Sequence, residues 1–348
     1  CGGIDLARGR WDTPEHRDDD DRRLLPNGKQ HAPWHDITML MQGDIAEALG
    51  ELARDRWLVA GGKPLPAARE TNIGWPEDVV IDFQNVELAI ARTRAPYGEV
   101  QEVREIEQLF LDMIAAAQNF IYIENQYLTS AKIAAAIAAR MGEAKPPEIA
   151  VIMPRTADGW LEQKAMDAAR VQLARAIGKV DSGNRFRIYV PVTKAGADIY
   201  VHAKLMIVDD RILRIGSANL NNRSLGLDSE CDVILDCGLA ANRDASVGIA
   251  ALRTRLLAEH LDVSPEQVAA HFKKTASLID TIEALRGDGK SLELLDLEKP
   301  GPFEKMIAEN ELLDPEHADG FLEPMHKRGL RRRWQEGRAR IFKRLRRR

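Results

Sequence analysis

The chain has 348 residues, enough for a large core and about two domains, and its 45% apolar and 30% charged residues are ordinary for a globular protein. A net charge of -5 argues against a general nucleic-acid binder, three cysteines make no disulfide framework, and no apolar run approaches the ~18–20 residues of a membrane span. The charge is uneven: the last 22 residues, KRGLRRRWQEGRARIFKRLRRR, hold twelve basic residues and one acidic residue, which leaves the rest near -16.

The chain opens on CGGIDL, read as the middle of a strand with no signal peptide before it, and runs into an acidic loop at Asp18–Asp21. WHDITMLMQG is expected as a strand, and DIAEALGELARDRW as a helix with Asp44 as its N-cap. GGKPLPAARETNIGWPED is Gly/Pro-rich and reads as a linker. From about residue 84 strands and helices alternate: VELAIART, then an amphipathic helix in EVREIEQLFLDMIAAAQ, the strand NFIYIENQYL, the helix AKIAAAIAARMG and the strand EIAVIMP. A helix ending at Gly178 and the strand RFRIYVPV follow. The alternation implies a layered α/β domain. After the strand CDVILDC helices dominate, with Ser264-Pro265 as a helix start. Cys231 and Cys237, six apart, have poor metal-ligand spacing and read as free thiols.

VHAKLMIVDDRILRIGSANLNNRS, residues 201–224, places a His, a Lys, a Ser and an Asn in an otherwise apolar hairpin. Polar side chains that face a core cost free energy unless they are paired or used. Alternation puts His202, Lys204 and Met206 on one face. A two-residue turn at Asp210-Arg211 would set Lys204 opposite Ser217 and His202 opposite Asn219. An imidazole, a fixed positive charge and two neutral hydrogen-bonding groups suit a phosphate, and Gly216 allows a ligand or a neighbouring backbone to come close. The bland alternative is a satisfied polar network in the core.

His202-x-Lys204-x4-Asp209-x6-Gly216-Ser217-x-Asn219 matches the HKD signature of the phospholipase D superfamily, and IYIENQY (121–127), PWHDI (33–37) and GGIDL (2–6) resemble segments of the larger, eukaryote-like bacterial members. The resemblance implies a phospholipase D-like layered α-β-α sandwich with mixed sheets, its second half complete and its first half partial. It implies a remnant of the first half plus linker over 1–83, the second half with the motif over 84–240, a helical region over 241–300, and a loop with a basic tail over 301–348. It also implies phosphodiester hydrolysis or headgroup transfer on a phospholipid, with water or an alcohol as acceptor, through a phosphohistidine and without a cofactor or metal. His202 becomes the general acid/base, Lys204 and Asn219 the phosphate clamps with Ser217, and Asp209 a strand-end residue that looks structural. Glu230 matches the acidic residue that holds the motif imidazole in some relatives; a strand-edge charge is its other reading. Glu124 and Gln126, on one strand face, are expected to line the pocket.

Gly2-Gly3-x-Asp5 occupies the place of Gly216-Ser217-x-Asn219, the internal repeat expected of two similar halves. The first HxKxxxxD is therefore expected upstream of Cys1, with Asp5 and His35–Asp36 as first-half site residues. HFKK at His271 is rejected, because Leu278 stands where Asp is needed. In the tail Leu330, Trp334, Ile341 and Leu345 fall near one helical face, which suits an anionic membrane surface; a disordered basic tail is the other reading. A location in the cytoplasm or at the inner face of a membrane is expected, with no nucleic acid as partner. The rival functions are a nuclease of the same superfamily and an inert membrane-binding remnant.

Overall fold

The computed structural model describes residues 1–67, 74–156 and 160–296. Strands are β1 (Trp34–His35), β2 (Ala89–Arg94), β3 (Val103–Arg104), β4 (Phe120–Glu124), β5 (Glu148–Ile152), β6 (Phe186–Val192), β7 (Tyr200–Val201), β8 (Leu205–Val208), β9 (Ile212–Gly216), β10 (Glu230–Asp236) and β11 (Ser291–Leu294). Helices are α1 (Asp44–Val59), α2 (Glu105–Ala116), α3 (Ala131–Met141), α4 (Trp160–Gly178), α5 (Ser246–Leu261), α6 (Pro265–Thr275) and α7 (Leu278–Leu285).

Nine strands form one mixed sheet in the order β11-β6-β5-β4-β8-β9-β10-β2-β3. The pairs β4–β5 and β5–β6 are parallel and the remaining pairs antiparallel. Continuous apolar runs such as FIYIE and EIAVI are buried on both faces, as a covered sheet requires. Alternate residues feed two cores. Ile121, Ile123, Met206 and Val208 pack with α2, α3 and α4, whereas Tyr122, Leu205, Ile207 and Leu213 pack with α5, α6 and α7. The result is the expected α-β-α sandwich. The helices after residue 240 are its second cover, and β11 adds an edge strand on β6 that the sequence reading lacked.

Three local expectations are corrected. Gly43, at φ 92°, caps α1, so Asp44 is the first helical residue and its charge favours the N-terminus from there. WHDITMLMQG gives only the two-residue β1, which pairs in parallel with β7 apart from the main sheet. The HKD hairpin closes over three residues, Asp209 to Arg211, and pairs Val208 with Ile212 and Leu205 with Ile215. Asp209 and Asp210 both adopt positive φ, and tertiary partners hold them there. The Asp209 carboxylate accepts the amides of Gln118, Asn119 and Phe120 at 2.6–2.8 Å, and Asp210 takes a bidentate pair from Arg253 at 2.7 Å. Asp209 is thus a strand-end clasp, as its place in the motif suggested. Ser264 and Gln267 form a full capping box at the start of α6.

Candidate functional site

The revised register leaves Lys204 opposite Gly216, whose amide donates to the Lys204 carbonyl at 3.2 Å. The polar residues nevertheless converge, because the chain leaves the ladder after Gly216. The Asp232 carboxylate accepts the amides of Ser217 and Ala218 at 3.0 and 3.2 Å. Arg214, fully buried beside it, donates Nε to Asp232 at 2.7 Å and Nη2 to the Ala218 carbonyl at 2.7 Å. A Cβ at Gly216 would lie 1.9 Å from Asp232 Oδ1, so the glycine serves a neighbouring strand.

This bend brings Asn219 round to Gln126, just beyond the end of β4. Gln126 Oε1 accepts from Lys204 Nζ and from Asn219 Nδ2, each at 3.4 Å, while its Nε2 donates to Tyr200 at 2.8 Å. Lys204 is 3% exposed and also donates to the His202 carbonyl at 2.5 Å. Burial pushes its ammonium down to about 8, against the opposing pull of Asp36, Glu230 and Asp5. His202 follows β7. Its Nδ1 lies 2.8 Å from Asp36 Oδ2, and Nε2 has no hydrogen-bond partner among the described residues. Burial pushes the Asp36 carboxyl up, but His202 and Lys204 outweigh it and hold the group below the ordinary carboxylate value. A carboxylate on Nδ1 fixes the tautomer and turns Nε2 toward any reacting oxygen.

The imidazole partner is therefore Asp36, which corrects the assignment to Glu230. The Glu230 carboxylate accepts the Ser217 hydroxyl at 2.5 Å, and burial raises it to about 7. It faces a cavity of about 160 Å³ lined also by Arg56, Arg92 and Arg94. The Ser217 hydroxyl, bonded to Glu230 and to the Cys231 amide at 3.0 Å, is thus occupied within the fold rather than offered as a clamp.

Two expected pocket residues lie in the core instead. His35, 3% exposed, is held between Glu124 at 2.7 Å and Glu259 at 2.8 Å. Glu124 is fully buried and also takes the Tyr122 hydroxyl and His260. Alternation turns His35 away from Asp36 toward Glu259 on α5, and Glu124 faces the same way, whereas Gln126, beyond the end of β4, meets Lys204 because the chain has left the strand. Asp5 is exposed and pairs with Arg10 at 3.2 Å, yet the segment carrying it lies at the site. A Cβ at Gly3 would sit 2.6 Å from Lys204 Cδ, so the N-terminal Gly-Gly-x-Asp piece packs on the stem of the HKD lysine. Asp36 was in view within PWHDI, and its acidic type beside a site strand was the available signal for its role. Nothing local marked Tyr200, Trp34 or Asp232.

The family described as "Cardiolipin synthase, PLD-like domain" matches residues 110–243. Phospholipase D alpha 1 of Brassica oleracea var. capitata is 27% identical over 327 aligned positions, covering 64% of this chain and 40% of that protein. Phospholipase D alpha 1 of Nicotiana tabacum is 24% identical, covering 86% of this chain and 50% of that protein. The chain thus spans about half the length, or less, of these plant relatives. Among solved structures, NucT from Helicobacter pylori overlaps 48% of this chain and 97% of its own at 20% identity and a TM-score of 0.32. The phosphatidylserine synthase of Haemophilus influenzae Rd KW20 overlaps 57% of this chain and 47% of its own at 15% identity and a TM-score of 0.37. The family match spans the strands and loops that carry His202, Lys204, Gln126 and Asn219, and together with the plant relatives it supports a member of the phospholipase D superfamily.

Proposed function

We propose that the chain supplies the acid/base half of a phosphodiester-transfer site acting on phospholipids. The observation that carries this reading is the His202–Asp36 pair at 2.8 Å, with Nε2 open beside a buried lysine. Lys204 and Asn219, held together by Gln126, would neutralise and orient the two non-bridging oxygens of a phosphodiester. A nucleophilic imidazole, by resemblance the motif histidine of the other half, attacks phosphorus; the bond to the headgroup oxygen breaks, and that oxygen takes the proton from His202 Nε2. The phosphohistidine is then cleaved when Nε2 removes a proton from water or an alcohol, whose oxygen bonds to phosphorus as the P–N bond breaks. Asp36 keeps its negative charge throughout and stabilises the transient imidazolium.

Turnover of phosphatidylcholine by this chain joined to a half that carries the nucleophilic imidazole, compared with His202→Ala in the same assembly, tests this directly. Loss of at least ~10²-fold in the variant is expected from removing a general acid/base; equal turnover by both proteins would sink the mechanism. A wild-type chain that neither turns over phosphatidylcholine nor binds a diester would instead support the inert-remnant reading. For the substrate surface, we propose that residues 327–348, which lie outside the described residues, draw the acidic body to anionic lipid. Deleting them should abolish salt-sensitive binding to phosphatidylglycerol vesicles; unchanged binding would overturn that role.

A further inference from the structure

Behind the site lies a buried network that the proposed reaction does not use. His35 donates from Nε2 to Glu124 on β4 and from Nδ1 to Glu259 on α5. Donation from both ring nitrogens requires an imidazolium. Burial opposes that charge, but the two carboxylates overcome it and hold His35 well above its ordinary value. Around this clamp, Glu124 accepts Tyr122 and His260, while Glu259 meets His16 Nε2 at 3.1 Å. Burial and the His35 charge push His260 down, so it adds no second positive charge. On the outer side Asp12 meets His16 Nδ1 at 2.9 Å and Arg23 at 3.3 Å, and it accepts the Trp34 amide at 2.9 Å.

Every connection leads to one short segment. In β1 and the residue after it, side chains alternate: Trp34 stacks on Tyr200 and tilts against His202, His35 enters the core, and Asp36 meets His202. A two-residue strand has little holding power of its own. Its ladder consists of Tyr200 N to Pro33 O at 3.0 Å and His202 N to His35 O at 2.8 Å. The side chain at 35 is its anchor in the sandwich.

We propose that His35, gripped by Glu124 and Glu259, is a positioning residue for the reaction: it fixes the segment that aims the Asp36 carboxylate at His202. This rests on the reading of His202 as the acid/base group. The anchor ties that alignment to β4 and α5, which belong to two different layers of the fold. Misplacing a catalytic group by about 1 Å from a remote site can cost about 10²-fold in rate.

The test uses the ¹⁵N-labelled full chain and reads the Nδ1–H proton of His202, which a strong bond to Asp36 shields from exchange with water. In His35→Gln this resonance is expected to broaden and vanish, as in Asp36→Asn, while the far-UV spectrum is retained. In the assembly with the nucleophilic half, kcat for phosphatidylcholine should fall about 10–10²-fold with KM within about twofold. Glu259→Gln, at the more accessible edge of the network, should give a smaller loss of the same kind and serves where His35→Gln does not fold. A sharp Nδ1–H signal and unchanged kcat in a folded variant would overturn the proposal. A wild type that binds no phosphodiester, whose Nδ1–H signal still depends on His35, would refute the proposed function and leave the positioning role standing. Tightly bound stoichiometric zinc in the purified protein, lost on His35→Gln, would replace the proton clamp by a metal site and also overturn it, since His16, His35 and Glu259 are spaced closely enough to share an ion.

Discussion

At the scale of single residues, burial decides which groups can act. Burial brings Lys204, which bonds to the His202 carbonyl, down to about 8, and raises Glu230 to about 7. Raising the pH through this range removes a positive charge and adds a negative one, so both changes repel an anion. Binding of bis(4-nitrophenyl) phosphate, a monoanion across this range, should therefore weaken above pH 7 and approach a tenfold loss per unit beyond about 8. Isothermal titration from pH 6 to 9.5 would show it, and a flat affinity would mean that Lys204 is not the anion anchor. The polar character of the site was legible in the motif, since His202, Lys204 and Asn219 do gather. The identity of the imidazole partner was not. Glu230 is close to the motif in sequence but bends toward Ser217, while Asp36 arrives from 166 residues away.

Among the elements, the hairpin β8–β9 shows how far periodicity reaches. Alternation correctly assigned Met206 to one core and Leu205 and Ile207 to the other, because burial alone sets that pattern. The register was not legible, because its turn is determined by Gln118–Phe120 amides and by Arg253, none of them local. The bend after β9 likewise depends on Arg214 and Asp232, both fully buried. Arg214→Met leaves the Asp232 carboxylate uncompensated in the core and should cost about 3–5 kcal/mol in urea unfolding. Arg214→Met with Asp232→Leu should recover part of that stability but lose diester binding, since Ser217 and Ala218 would have no acceptor. If the single variant is as stable as wild type, the pair does not hold the bend.

For the whole molecule, the strand and helix sequence from residue 84 onward gave away the sandwich, because the runs are long and their periods clear. The short edge strand β11 and the isolated β1 were lost, being too brief to carry a period. The His35 network joins three parts of the fold: the N-terminal segment, β4 and α5. Glu124 and Glu259 are depressed below the ordinary 4.5, so their stabilisation is present above that pH and is lost as the pH falls through and below it. His35 is raised above the ordinary 6.5, so its contribution is full below that pH and fades only as the pH climbs through its elevated value. Stability should decline below pH 4.5, and Glu259→Gln should lose about 1–3 kcal/mol less than wild type between pH 6 and 3. Acid titration followed by circular dichroism measures both; parallel curves would exclude the network as a source of acid sensitivity.

The attachment of Asp36 has a thermal consequence. Its strand meets the HKD segment through the amides of Tyr200 and His202, and through no rung of the nine-stranded sheet. Alignment of the acid is therefore a local equilibrium, governed by the opening of that small ladder and its histidine anchor, and not by the melting of the sandwich. A thermal scan should therefore lose the His202 Nδ1–H signal at a lower temperature than the far-UV spectrum.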